Sequence, residues 1–206
     1  MQPVLEIHAA DDFALWPTTM HRSYGFMLLG GKLTPEEVGT AVWQLAERNE
    51  ADLEEGEDPG AGPAGPLDAF LHGLLSSEQL CSPGGFRVTD TATGAVFEPG
   101  CCICLEDWRE WLDVADGSGQ HWFGHDPDAR AECTDGLVRL TVDANVKDGP
   151  VIELPVDELR RLIAGAEQDL RDFVRLAGGW AERQLPERSA VVTAALARAL
   201  DLENPA

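Results

Sequence analysis

Apolar positions step by threes and fours over several stretches of this chain and by twos over others, so helices and strands are both expected. Val38, Ala41, Val42, Leu45 and Ala46 make one helical stripe, and Thr34-Pro35-Glu36-Glu37 ahead of it reads as a capping box with proline at the first helical position. A shorter helix should follow from Pro66, burying Leu67, Phe70, Leu71, Leu74 and Leu75. The longest pattern opens after Pro155, where Asp157 and Glu158 suit the positive end of a helix dipole. It runs through Val156, Leu159, Leu162, Ile163, Ala166, Leu170, Phe173, Val174 and Ala177 and should stop at Gly178-Gly179. A last helix, roughly Glu187 to Leu200, leads into an acidic tail.

Between these helices the period changes to two. Phe86-Arg87-Val88-Thr89 and Ala95-Val96-Phe97 flank Asp90 to Gly94, a turn-rich connection that predicts a hairpin. Leu105 to Val114 reads as a helix with Leu105, Trp108, Trp111 and Leu112 on one face, stopped by Asp116-Gly117-Ser118-Gly119. Gln120 to Gly124, Leu137 to Val142 and Val151 to Leu154 complete the strands, with turns at Asp126-Pro127-Asp128 and Asp148-Gly149-Pro150. The fold class is therefore α+β, a small antiparallel sheet packed by a long amphipathic helix. Residues 1–80 are expected to form a mainly helical N-terminal arm with a flexible acidic, Pro/Gly-rich loop at about 49–66; residues 81–206 form an α+β core with the C-terminal helices.

Charge changes the picture more than composition does. The 206 residues hold 37 acids against 15 bases, a net charge of −22. Residues 33–60 carry nine acids against one base and residues 101–150 eleven against four, while the C-terminal helices are nearly balanced. Such a field disfavours nucleic acid and anionic membrane surfaces and favours a basic protein partner or cations. Lys32 and Lys147 are the only lysines, a usage that fits a GC-rich bacterial genome. Met1 to Asp12 lacks the basic region of a secretory leader, and the apolar stretch Tyr24 to Gly31 is too short to span a bilayer. Five cysteines, an odd number, point to free thiols and a cytoplasmic protein.

Three candidate chemistries follow. The leading one is a non-enzymatic protein-binding module, of the immunity or inhibitor kind, that neutralises a basic partner. Its surface would be the aromatic and acidic segment Glu106, Asp107, Trp108, Glu110, Trp111 and Asp113, since an aromatic centre with a carboxylate rim suits a cationic partner. The second is zinc binding through Cys101, Cys104, His121 and His125, with Cys133 in reserve, because thiolate and imidazole are the ligands tetrahedral zinc prefers. On a straight strand His121 and His125 lie roughly 13 Å apart, so one ion can take both only if the chain bends at Gly124. The third is a scaffold or oligomerisation protein using the Val156 to Ala177 helix. A reactive thiol at Cys102 or Cys104 has Glu106, Asp107 and Glu110 against it. Nucleotide-binding and hydrolase motifs are absent, so no catalytic residue is assigned.

Overall fold

The computed structural model describes residues 1–8, 10, 12–19, 25–50 and 65–202. The expected acidic loop at 49–66 and the end of the acidic tail lie largely outside them. The fold is α+β. Among the described residues eight strands form two four-stranded sheets, ordered β2-β1-β3-β4 and β5-β6-β7-β8, together with five α-helices. Among the described residues no helix is long and apolar enough to cross a membrane.

The chain divides into two compact units, each discontinuous in sequence. The first comprises residues 1–5, 26–29 and 83–170, and the second residues 6–25, 30–82 and 171–206. One crossing, between Ser82 and Pro83, falls beside the sequence boundary near residue 80. The crossings after Leu5, Gly25, Leu29 and Leu170 leave no compositional mark.

In the first unit β1 (Gln2–Ile7) pairs antiparallel with β3 (Gly84–Thr89), setting Val4 opposite Gly85. The hairpin to β4 (Val96–Phe97) is present. Its turn is tied by the Asp90 carboxylate, which accepts from the Ala92 N–H at 2.9 Å and from the Thr93 hydroxyl. The second sheet is an antiparallel meander of β5 (Gln120–Trp122), β6 (Arg130–Thr134), β7 (Leu137–Thr141) and β8 (Val151–Pro155). Ala131, Val138, Leu140, Ile152 and Leu154 are buried, the alternation that a sheet with one covered face requires. The long helix α4 (Val156–Gln184) packs on a sheet, with Leu159, Ile163, Ala166 and Leu170 buried.

The expected helix Leu105 to Val114 is split: a 3-10 turn over Leu105–Arg109 leads into a short helix α3 (Glu110–Ala115). Both place their tryptophans inward. Trp111 stacks on Phe123 at 4.2 Å between ring centroids and meets Phe97 edge-on at 5.6 Å, while Trp108 lies over Phe86 at 6.1 Å.

The second unit holds α1 (Pro35–Glu50), α2 (Pro66–Ser76), the C-terminal part of α4 and α5 (Ser189–Ala199). The capping box forms as read: the Glu37 carboxylate accepts the Thr34 N–H at 2.7 Å and the Thr34 hydroxyl accepts the Glu37 N–H at 3.3 Å. Its core is aromatic, with Trp16 meeting Phe13, Phe70 and Trp180 at 4.7–5.7 Å. Helix α4 does not stop at Gly178-Gly179. Trp180, Ala181 and Leu185 beyond that pair are buried, and their burial outweighs the roughly 1 kcal/mol that each glycine costs in a helix. Strands β1, β2 (Gly25–Leu28) and β6 were not foreseen from the sequence.

The two kinds of tryptophan in the first unit should separate in a stability measurement. Trp111→Ala empties a fully enclosed site and should cost about 3–5 kcal/mol in denaturant unfolding, whereas Trp122→Ala, at a position 44% exposed, should cost less than about 1 kcal/mol.

Candidate metal centre

Two loops of the first unit meet backbone to backbone. One runs from Gly100 to Cys104 after β4, and the other from Phe123 to Ala129 between β5 and β6. The Gly100 N–H donates to the Phe123 carbonyl at 2.8 Å, and Cys101 and His125 exchange N–H···O bonds of 2.7 and 3.3 Å. Such contact is available only to glycine. A Cβ on Gly100 would lie 2.5 Å from the Pro127 carbonyl oxygen, and one on Gly124 2.5 Å from the Gly100 carbonyl carbon. Gly124 also holds φ +102°, a conformation that side chains disfavour.

The second loop is closed on itself. The Phe123 N–H donates to the Ala129 carbonyl at 2.7 Å across a cis Asp126–Pro127 peptide. Arg130 clamps Asp128 with two bonds, of 2.9 and 2.6 Å, and holds that carboxyl below its ordinary pKa, with a smaller contribution from the Trp122 indole. The Asp128 backbone is tied in turn to Asp143 and Ala144. A firm strand-to-strand turn therefore presents His125.

On the other loop Cys102 takes a left-handed conformation, φ +68°, so its side chain and that of Cys101 point to the same place despite being neighbours in sequence. Their sulfurs are 3.5 Å apart, and Cys102 Sγ lies 3.4 Å from His125 Nε2. The ligand atoms of Cys101, Cys102 and His125 all lie within 4.8 Å of one another. The opposite ring nitrogen, Nδ1, is 3.3 Å from the Asp126 carboxylate, which can accept a hydrogen bond from it; in the tautomer with the proton on Nδ1, Nε2 turns a lone pair towards the Cys102 sulfur. All three residues are exposed, with the His125 side chain at 51%.

The residues singled out from sequence thus divide. Cys101 and His125 come together, with Cys102 as the third member. Cys104 stands at a backbone bridge to Pro83, outside this group. His121 lies on β5, on the far side of the bend at Gly124, and shares a 2.8 Å hydrogen bond with the Ser118 hydroxyl. Cys133 sits on β6 opposite Val138, also outside the group. Cys102 is hidden in the sequence because the C-x2-C spacing points to the outer pair, and Asp126 because carboxylates are so numerous here.

The aromatic and acidic segment divides as well. Trp108 and Trp111 are 3% and 2% exposed and offer no surface to a partner, since their rings fill the core. The accessible aromatic is Trp122, whose ring lies 6.2 Å from that of His125. Glu106 is half-buried, and Asp107, Glu110 and Asp113 are exposed. Partial desolvation raises the Asp107 carboxyl above its ordinary pKa; the same cause, followed by the charge of Asp107, raises Glu110. Both carboxyls edge a narrow cleft against Trp108 and Trp111, which strips part of their hydration although the residues remain exposed.

The arrangement at Cys102, His125 and Asp126 also has the order of a nucleophile, a base and the group that orients the base. The cavity between the C-terminal part of α4 and α5 and the cleft beside Trp108 and Trp111 are lined by none of the three. No family model matches the chain, and no curated protein or solved structure matches it.

Two outcomes test this geometry. Gly100→Ala and Gly124→Ala should each cost about 2–4 kcal/mol in unfolding, because the backbone on the other loop cannot yield as a flexible side chain would. Glu110→Gln tests the raised carboxyl. A raised folded pKa means that stability falls as pH rises from the ordinary carboxylate range through the folded value. The variant should therefore be the more stable protein at neutral pH, by less than about 1 kcal/mol at so exposed a site, and lose that advantage below about pH 4. Thermal melts across that range measure both.

Proposed function

We propose that the protein binds a soft metal ion of the zinc type through Cys101, Cys102 and His125. The observation that carries this reading is the convergence of two sulfurs and one imidazole nitrogen from separate loops. In a tetrahedral zinc site, bonds of about 2.3 Å to sulfur and about 2.0–2.1 Å to nitrogen place neighbouring sulfurs about 3.8 Å apart and sulfur about 3.6 Å from nitrogen. The separations of 3.5 and 3.4 Å lie a little inside those edges, so an ion would need only to spread the groups slightly. Asp126 supports the reading as the carboxylate that fixes the histidine tautomer. A reducing, cytoplasmic setting belongs to the same reading, because the two thiols must stay reduced to act as ligands.

Purified protein should carry close to one zinc per chain by elemental analysis. Cys101→Ser, Cys102→Ser and His125→Ala should each weaken zinc binding at least about 100-fold, and Asp126→Asn about 10–100-fold. Cys104→Ser and His121→Ala should leave the affinity within about threefold of the parent. An affinity that fell with Cys104 or His121 and stayed with Cys102 would reject this ligand set.

A second reading, recognition of a basic protein partner, keeps support from the net charge of −22 and from exposed Trp122. Association with a cationic protein would then weaken steeply with salt and drop with Trp122→Ala.

A further inference from the structure

We propose that Cys101 and Cys102 form an oxidative modification site, at which a neutral hydroperoxide oxidises Cys102 and Cys101 resolves it into a disulfide between the two neighbours. The inference goes beyond the metal reading and needs no ion. Both residues are exposed, and their sulfurs lie 3.5 Å apart. On an extended chain successive side chains point to opposite faces, which keeps neighbouring sulfurs apart. Here Cys102 holds φ +68°, uncommon for a residue with a side chain, and both sulfurs come to one side. A disulfide of about 2.05 Å then requires the sulfurs to close by only about 1.5 Å. The paired N–H···O bonds between Cys101 and His125 fix the Cys101 backbone in that arrangement.

The surroundings mark Cys102 as the sulfur that attacks. His125 Nε2 lies 3.4 Å from its Sγ, within reach of the thiol proton as the sulfur reacts. Of the acids that stand near Cys102 in sequence, Glu106 lies with Cys104, and Asp107 and Glu110 line the cleft beside Trp108 and Trp111. The net charge of −22 selects among oxidants: an anionic disulfide is slowed at low salt, whereas a neutral peroxide meets no repulsion.

In the first step the Cys102 sulfur attacks one peroxide oxygen. An S–O bond forms and the O–O bond breaks, leaving Cys102 as a sulfenic acid while the departing oxygen takes the thiol proton and leaves as water. The Cys101 sulfur then attacks the Cys102 sulfur. The S–S bond forms, the S–O bond breaks, and the hydroxyl leaves with the Cys101 proton as a second water. Two electrons pass from the sulfur pair to the peroxide. Adjacent Cα atoms stand about 3.8 Å apart, shorter than the usual span of a disulfide, so the bond is strained and readily reduced. That suits a reversible change rather than a permanent cross-link. The oxidised pair also lacks both thiolates of the zinc reading, so oxidation and metal binding exclude each other.

The full-length chain carrying Cys104→Ser, reduced and freed of metal with a chelator, tests this on treatment with hydrogen peroxide. The tryptic peptide that holds Cys101 and Cys102 should lose two hydrogens and resist alkylation, and dithiothreitol should return both thiols. In the same background, Cys101→Ser should build up a sulfenic acid at Cys102, trapped by a cyclic diketone at least about tenfold faster than Cys101 is trapped in Cys102→Ser. Equal trapping would overturn Cys102 as the attacking sulfur. Peroxide that leaves both thiols open to alkylation, or takes them to sulfinic acid with no disulfide, would overturn the modification site altogether. Zinc titration of the same reduced protein reports separately on the ligand set, so the two readings fail independently.

Discussion

Everything at the candidate centre depends on two glycines that let one backbone lie directly on another. Gly100 and Gly124 bring the loop after β4 and the turn after β5 so close that even a methyl group would collide with carbonyl atoms. That contact sets the exchange of hydrogen bonds between Cys101 and His125, and those bonds place the sulfurs beside the imidazole. Side-chain chemistry is thus fixed by a main-chain fit. The centre gains precision without needing a buried position, which accounts for thiol and imidazole groups that are both well placed and open to water.

The surrounding packing serves the same end. Phe97 leads towards the first loop and Phe123 begins the second, and both rings lie against Trp111 in the core. Hydrophobic burial therefore anchors each loop at its root, while the exposed cysteines and His125 lie beyond it. The aromatic residues that drew attention as a binding surface turn out to hold the scaffold. In a strongly acidic chain they also supply the contacts that offset like-charge repulsion in the compact state.

How much of this was legible in the sequence depended on how far each signal reached along the chain. Helix α1, with its capping box, and the amphipathic run of α4 announce themselves, because a dozen or more residues repeat one pattern. Strand β1 does not: Pro3, Val4 and Leu5 are buried in succession, so there is no alternation to read. Strand β6 buries only Ala131 among its five residues. The end of α4 was misplaced because a glycine pair is a local signal and the burial of Trp180 is a tertiary one. At the centre, the residue types were visible but their partners were not. Which cysteine joins His125 is decided by a left-handed turn at Cys102, and residue spacing cannot reveal that conformation.

The interleaving of the two units has a consequence for how this chain acquires its shape. Strand β1 finds one neighbour in the nearby β2, yet its other partner β3 begins at Gly84, so the first sheet joins segments some eighty residues apart. The stretch 171–206 belongs to the same unit as α1 and α2, far from them in sequence. Neither unit corresponds to an unbroken segment, and each is closed by contacts far apart in sequence. Chains of high contact order fold slowly and expose unpaired strand edges while they do so. Acquisition of structure is therefore expected to be slow, with strong negative charge keeping the incompletely folded chain apart from its copies.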